Sequence, residues 1–225
     1  MFIVIDGIDG TGKETQTKLL VEKLTAAGLP IKMFDFPQYG QKSAALVEMY
    51  LNGEFGSAGE ISPYQASVFY VCDRLAAKKE MIAWLNEGKI IVSNRYVSSS
   101  QIHQAGKIKD EAAKEKFLTW LDNLEFELFG VPKPDLIFYL SLPPQMAQEL
   151  VDKKGAREYI NGQRKRDIHE ADTEHLQNAW QNGLGLAKKF DWQVIDCYDQ
   201  GQILSREAIA EKIWSIVAPK LNLNP

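Results

Sequence analysis

The N-terminal segment contains the feature that most constrains the fold. A short apolar stretch, Phe2 to Ile5, runs directly into a glycine-rich loop that matches the pattern Gly-x-x-x-x-Gly-Lys, with Lys13 as its lysine. Leucines at helical spacing follow the loop. A strand, a loop and a helix in this order form a cradle for phosphate, because the glycines let backbone N–H groups turn inward and the helix N-terminus adds partial positive charge.

The loop supplies a first set of candidate residues for binding a nucleoside triphosphate. The set comprises Gly7, Ile8, Asp9, Gly10, Thr11, Gly12, Lys13, Glu14 and Thr15. Lys13 is expected to reach the β- and γ-phosphates. Glu14 departs from the pattern, since a Ser or Thr hydroxyl usually stands there and contacts Mg²⁺. A glycine-rich turn without a ligand is the alternative, and the matching strand and helix favour the phosphate site.

Strand and helix patterns alternate along the chain. Strand-like runs are 2–6, 31–36, 89–93, 135–141 and 192–196. Helical periodicity covers 13–27, 43–52, 63–87, 111–127, 143–153, 167–189 and 205–217. Several strands are continuously apolar, which implies burial on both faces and therefore a parallel sheet with helices on each side. The sequence predicts a single α/β domain over 1–225.

Composition excludes several classes of partner. The chain has 26 basic and 30 acidic residues, a net charge of −4, which argues against a nucleic-acid partner. Its longest apolar runs are too short to span a bilayer, and its N-terminus has no secretory pattern. The two cysteines, Cys72 and Cys197, are too far apart in sequence for a disulfide framework. We therefore expect a cytoplasmic protein without a membrane partner.

A basic segment that contains two glycines interrupts this acidic chain. Residues 153–166 concentrate six cations, namely Lys153, Lys154, Arg157, Arg164, Lys165 and Arg166. A solvated charge run is one interpretation of such a segment. A lid that closes over nucleotide phosphates is the other, and the phosphate loop favours it.

Four further segments point to a second substrate. Phe36 to Gly40 follows the second strand, and Arg95 follows the third, so both lie at the edge of the sheet where ligands bind in such folds. Tyr70 and Arg74 are one helical turn apart and share a face. Ser98 to Gln104 then opens a helix with hydroxyls and amides. An aromatic face, two arginines and these polar groups suit a nucleobase joined to a phosphate.

Each of these residues also has a structural explanation. Tyr70 could be an ordinary residue of the hydrophobic core. Arg74 could form an ion pair on a solvent-exposed face. The serines after the third strand could serve as helix caps and have no other role. The convergence of all four segments on strand ends favours a binding site.

Six short motifs, read together, resemble the thymidylate kinase family. They are 7–16 (Gly-Ile-Asp-Gly-Thr-Gly-Lys-Glu-Thr-Gln), 36–40 (Phe-Pro-Gln-Tyr-Gly), 73–74 (Asp-Arg), 94–99 (Asn-Arg-Tyr-Val-Ser-Ser), 103–104 (His-Gln) and 132–136 (Pro-Lys-Pro-Asp-Leu). The resemblance implies a five-stranded parallel P-loop kinase core that moves the γ-phosphoryl group of ATP onto dTMP to give dTDP, in dTTP biosynthesis. It also implies Mg²⁺ as cofactor and a homodimer.

The resemblance assigns roles to individual residues. The acceptor set is Asp9, Phe36, Pro37, Tyr39, Tyr70, Arg74, Arg95, Ser99, Ser100 and Gln104. Within it, Tyr70 matches the ring that stacks on thymine, and Arg95 matches an acceptor-phosphate contact. The catalytic set is Lys13, Arg95 and, because residues 8–11 carry no basic side chain, the lid arginines Arg157, Arg164 and Arg166. Asp9 and Glu14 are the candidate metal ligands.

Two departures from the family pattern concern the metal. Glu14 replaces a hydroxyl, and Asn94 replaces an aspartate that usually precedes the arginine and aids Mg²⁺. A carboxylate gained at one position and lost at the other suggests a rearranged metal shell. The alternatives that remain open are a kinase for another nucleoside monophosphate or a deoxynucleoside, and a nucleotide-binding regulator that lacks transfer activity.

Overall fold

A five-stranded parallel sheet forms the centre of the fold, in the order β2-β3-β1-β4-β5. The strands are β1 (Phe2–Gly7), β2 (Ile31–Asp35), β3 (Ile90–Asn94), β4 (Leu136–Ser141) and β5 (Gln193–Asp196). All four neighbouring pairs are parallel. This confirms the predicted α/β class and the five-stranded sheet. The structure is a computed structural model, and it describes residues 1–57, 59–152 and 173–223.

Helices connect the strands and cover the sheet. They are α1 (Lys13–Ala26), α2 (Ala45–Leu51), α3 (Pro63–Asn86), α4 (Val97–His103), α5 (Glu111–Asp122), α6 (Pro144–Asp152), α7 (Thr173–Lys189) and α8 (Arg206–Lys220). Short 3₁₀ turns occupy Lys42–Ala44 and Ala105–Lys107. The predicted lid 153–166, with its three arginines, and the predicted helical residues 167–172 lie outside the described residues. Among the residues that the structure describes, no helix is long and apolar enough to cross a membrane.

Burial explains why the sheet is parallel. All six residues of β1 and all five of β3 are buried, so these strands have no face that could meet water. Strands buried on both faces need helices on each side, and parallel pairing supplies them through helical crossovers. The register pairs Ile5 with Asn94 and Asp35 with Asn94, so the carboxyl ends of β1, β2 and β3 meet at one edge.

Two local features differ from the sequence-based prediction. The helix predicted over 111–127 ends at Asp122, and the chain widens into a π-helical turn over Asn123–Leu128. This turn places Glu125 in the interior, where it pairs with Arg74. A two-stranded hairpin, β6 (Tyr198–Asp199) with β7 (Gln202–Ile203), was not predicted, because strands of two residues are too short to show alternation.

Candidate functional site

The glycine-rich loop between β1 and α1 closes around its own lysine. The Lys13 ammonium donates to the carbonyl oxygen of Ile8 at 2.7 Å and is almost completely buried. Thr11 donates its hydroxyl to the same oxygen at 2.9 Å. Gly10 has φ +88°, and a Cβ there would lie 2.1 Å from the carbonyl oxygen of Ala147 in α6, so only glycine fits. The loop therefore has a fixed shape that positions the lysine at the start of α1.

The other loop candidates surround this lysine. Gly12 is the N-cap of α1 with φ +84°, and Thr15 is half-buried on the first turn of that helix. Glu14 is exposed on the same turn, and its carboxylate accepts from Lys18 at 2.6 Å. An acidic side chain in this position also favours the helix dipole.

Asp9 connects the phosphate loop to the end of β3. Its carboxylate oxygen Oδ1 forms an ion pair with Nη2 of Arg95, and the same oxygen lies 3.8 Å from the Lys13 ammonium. The backbone N–H of Arg95 donates to the carbonyl oxygen of Ile5 at 3.0 Å, which extends the pairing of β1 and β3 by one residue. The two predicted catalytic cations within the described residues therefore share one carboxylate.

Arg95 has an unusual backbone conformation. Its φ is +61°, in the left-handed region that a non-glycine residue rarely adopts. Such a conformation costs about 1–3 kcal/mol and persists where surrounding contacts determine it. Here Nη1 lies 3.4 Å from the Ser99 hydroxyl and 3.4 Å from Nε2 of His103. The turn directs the guanidinium across the end of β1 toward Asp9.

The serines that follow Arg95 anchor α4 to β1. Ser98 donates to Oδ2 of the buried Asp6 at 2.6 Å, and Ser99 donates to Oδ1 of the same carboxylate at 2.8 Å. The hypothesis that these serines only cap the helix is wrong, because the N-cap is Tyr96 and no side-chain cap bond forms. Ser99 thus fixes the start of α4 beside the predicted acceptor site.

A buried ion pair holds Arg74 in the wall of the site. Arg74 is 2 % exposed and Glu125 is 0 % exposed, so the alternative that Arg74 pairs on a solvent-exposed face is wrong. Nε of Arg74 donates to Oε1 of Glu125 at 2.9 Å, and Nη2 bonds the same oxygen. Nη2 also donates to the Ser100 hydroxyl at 3.1 Å, and Nη1 donates to the carbonyl oxygen of Tyr96 at 3.3 Å. These contacts fix the plane of the guanidinium.

The loop after β2 is held against the same helix. The Asp73 carboxylate accepts from the backbone N–H of Gln38 at 2.8 Å and from the hydroxyl of Ser43 at 2.6 Å. This places the predicted segment 36–40 next to the face of α3 that carries Tyr70. Tyr70 is half-buried and meets Tyr50 edge to face at a ring-centre distance of 6.3 Å.

These elements enclose a pocket of about 340 Å³ at the carboxyl edge of the sheet. All ten residues predicted for the acceptor line it: Asp9, Phe36, Pro37, Tyr39, Tyr70, Arg74, Arg95, Ser99, Ser100 and Gln104. Gln104 is 1 % exposed, and among the described residues its Oε1 has no hydrogen-bond partner. A buried acceptor without a partner costs about 1–3 kcal/mol, so a ligand that donates to Gln104 would recover this energy.

The metal-related departures lie at the rim of this pocket. Nδ2 of Asn94 donates to Oδ1 of Asp35 at 2.8 Å, across the β2–β3 register. Burial raises the pKa of the Asp35 carboxyl, and the Asn94 hydrogen bond opposes this shift. Within the described residues, no three His, Cys, Asp or Glu side chains form a metal-binding group.

Sequence reasoning missed three residues of the site. Glu125, Asp35 and His103 contact Arg74, Asn94 and Arg95 respectively. Glu125 leaves one detectable signal, a carboxylate flanked by Leu124 and Phe126 in an apolar helical pattern. Asp35 is the last residue of a strand whose end carries other site residues. The only sequence signal of His103 is its place in the motif 103–104.

Fold and site together define a P-loop kinase that acts on a small, phosphate-bearing acceptor. The chain belongs to the thymidylate kinase family, whose model matches residues 5–190. It is therefore a phosphotransferase.

Curated relatives support the family assignment, and a solved structure supports the fold. The thymidylate kinase of Mycobacterium tuberculosis is 31 % identical over 180 residues, which cover 80 % of this chain and 82 % of the relative. The thymidylate kinase of Plasmodium falciparum is 30 % identical over 169 residues, or 75 % of this chain and 74 % of the relative. A thymidylate kinase structure from Candida albicans superposes with a TM-score of 0.72 over 100 % of this chain and 95 % of that chain. At 22 % identity, this structure supports the fold alone.

The buried Arg74–Glu125 pair predicts a large effect of one substitution. Glu125→Gln keeps the side-chain volume but leaves Arg74 buried without its counter-charge, which should lower the free energy of unfolding by about 3 kcal/mol. Urea unfolding of wild type and variant measures this difference.

Glu127→Gln is the matched control on the same π-helical turn. Glu127 pairs with Lys133 at 3.4 Å, and both side chains are 66 % exposed, so its loss should cost less than about 0.5 kcal/mol. Equal stability losses for the two variants would contradict the role given to the buried pair.

Proposed function

We propose that the protein transfers the γ-phosphoryl group of ATP to dTMP, which gives ADP and dTDP. The observation that carries this proposal is the single pocket that collects all ten predicted acceptor residues beside the lysine loop. Membership of the thymidylate kinase family supports dTMP as the acceptor. The names of the relatives support the same reaction.

In this reaction, a phosphate oxygen of dTMP attacks the γ-phosphorus of ATP, and the bond to the β–γ bridging oxygen breaks. Little covalent chemistry falls to the protein, so catalysis consists of positioning and charge neutralisation. Lys13 holds the donor phosphates, and Arg95 holds the acceptor phosphate. Arg157, Arg164 or Arg166 is proposed to supply a further cation to the transferred group.

The base is proposed to bind between Tyr70 and the Arg74 wall. Tyr70 offers its ring face, and stacking on an aromatic ring contributes on the order of 1 kcal/mol beyond buried area. Gln104 offers a buried amide oxygen that accepts a hydrogen bond, and Arg74 offers a guanidinium fixed by Glu125. A pyrimidine with both N–H and carbonyl groups matches this combination.

Mg²⁺ is proposed as the divalent metal. Mg²⁺ prefers oxygen ligands and usually takes only one or two carboxylates beside substrate phosphates. The Asp9 carboxylate fits this requirement, since it lies between the donor lysine and the acceptor arginine. When bound, the metal neutralises charge on the phosphates. Glu14 remains a predicted second ligand, although its carboxylate already accepts from Lys18.

A homodimer and a cytoplasmic location are also proposed. The exposed face of α3 carries Tyr64, Val68 and Leu75, each about 40 % exposed and at helical spacing. An apolar stripe of this kind supports self-association. Sedimentation equilibrium measures this self-association, and a monomer at micromolar concentration would contradict the proposed homodimer.

The cysteines support the proposed location. Both are unpaired thiols, which fits a reducing compartment.

A coupled assay with five acceptors tests the function. Family membership predicts that dTMP is phosphorylated faster than dUMP, UMP or CMP. Thymidine should be the poorest acceptor, because it has no phosphate for Arg95 to hold. Lys13→Ala should abolish transfer. The control Lys23→Ala removes a lysine that lies further along α1 and pairs with Glu211 of α8, and it should retain transfer. A faster reaction with another acceptor would replace dTMP as the substrate. ATP binding without ADP formation would support the regulator alternative.

A magnesium titration separates the two candidate ligands. Asp9→Asn should raise the Mg²⁺ concentration for half-maximal rate at least about tenfold, because its carboxylate stands between donor and acceptor groups. Glu14→Gln should change it by less than about twofold, as should the control Glu22→Gln at an exposed position of α1. A shift for Glu14→Gln as large as that for Asp9→Asn would place Glu14 in the metal shell.

A further inference from the structure

Two buried histidines continue from the acceptor arginine into the protein. His103, at the end of α4, and His175, near the start of α7, are 8 % and 7 % exposed. Their ring centres are 5.6 Å apart, and Nδ1 of His103 lies 3.4 Å from Nε2 of His175. On its other side, Nε2 of His103 lies 3.4 Å from Nη1 of Arg95. The three side chains therefore form two successive contacts, from His175 to His103 and from His103 to Arg95, and Arg95 lines the pocket.

The chemistry of these groups determines which nitrogen donates and which accepts in each contact. A guanidinium can only donate, so Nε2 of His103 must accept from Arg95. A neutral imidazole that accepts at Nε2 carries its proton on Nδ1. That N–H faces Nε2 of His175, which must then be the acceptor, so His175 also carries its proton on Nδ1. Each ring thus has one defined tautomer.

We propose that His103 and His175 are positioning residues that hold the Arg95 guanidinium in place for the acceptor phosphate. The proposal rests on the proposed function only for the identity of that phosphate. It requires both imidazoles to be neutral, since a protonated His103 has no lone pair for Arg95 and adds a like charge beside it.

The surrounding charges favour the neutral form. Burial lowers the pKa of His103 well below its ordinary value, and the Arg95 charge lowers it further. Asp9 opposes this shift, whereas His175 and Lys13 reinforce it. His103 is therefore neutral at pH 7, as it must be if its Nε2 accepts from Arg95.

A second contact between the same helices provides a control. Asn182 of α7 donates to the carbonyl oxygens of Gln101 at 2.9 Å and Ile102 at 2.8 Å, at the end of α4. These two bonds tie α7 to α4 and involve neither Arg95 nor either imidazole. A variant at Asn182 therefore reports what loosening this helix pair does by itself.

Nitrogen-15 NMR of the full chain tests the tautomers directly. The chain has three histidines, so the variants His103→Gln, His169→Gln and His175→Gln assign every imidazole signal. At pH 7, both His103 and His175 should show the neutral form with the proton on Nδ1, and His103 should stay neutral well below pH 6.5. A proton on Nε2 of His103, or a charged His103 at pH 7, would overturn the proposal.

Steady-state kinetics test the positioning role. His175→Phe keeps a ring but removes the acceptor for His103, so it should raise the dTMP Michaelis constant about three- to tenfold. Its kcat and its ATP Michaelis constant should change less than about twofold. His175→Gln, which restores an acceptor oxygen, should recover most of the dTMP affinity.

Asn182→Ala should lower the melting temperature with little change in the dTMP constant. Equal dTMP constants for Asn182→Ala and His175→Phe would reduce the histidines to helix packing and overturn the proposal. If dTMP proved not to be a substrate while the tautomers held, the proposed function would fail and the arrangement of Arg95 would stand.

Discussion

The site depends on one carboxylate that two cations share. Asp9 lies between Lys13, which begins α1, and Arg95, which directly follows β3. Two unit charges about 4 Å apart attract by about 4 kcal/mol at an effective dielectric constant of about 20, before the cost of desolvation is subtracted. This attraction holds the two cations close together although 82 positions of sequence separate them. The donor and acceptor groups consequently lie on either side of a single side chain.

The parallel sheet makes this arrangement possible. Because β1 and β3 are neighbours and run in the same direction, their carboxyl ends deliver the phosphate loop and Arg95 to one edge. The buried serine–Asp6 bonds then fix the start of α4, and the Arg74–Glu125 pair fixes the opposite wall. Phosphoryl transfer requires positioned charges, and each of these contacts restricts how a charged side chain can move.

Much of the site could be predicted from sequence because it lies at strand ends and on one helix face. Tyr70 and Arg74 are one turn apart, and Arg95 directly follows a buried strand, so local patterns place them correctly. Their partners could not be predicted in this way. Glu125 is 51 positions from Arg74, and His175 is 72 positions from His103. Periodicity within one element carries no information on which distant element will pack against it.

The departures at the metal site illustrate the same limit. Two departures from the family pattern predict that Glu14 compensates for the aspartate missing at Asn94. The β2–β3 register brings Asp35 to Asn94, and Glu14 pairs with Lys18 on its own helix. Compensation by Glu14 stays a prediction. The side chain opposite a strand end depends on the pairing of the sheet, which the spacing of motifs does not specify.

Calorimetric titration of dTMP and of thymidine tests most directly whether Arg95 holds the acceptor phosphate and Lys13 the donor phosphates. Wild type should bind dTMP far more tightly than thymidine, and Arg95→Ala should remove most of that difference. Lys13→Ala should preserve it, because its ammonium belongs to the donor side. An undiminished preference for dTMP in Arg95→Ala, or its loss in Lys13→Ala, would contradict the assignment of the two cations.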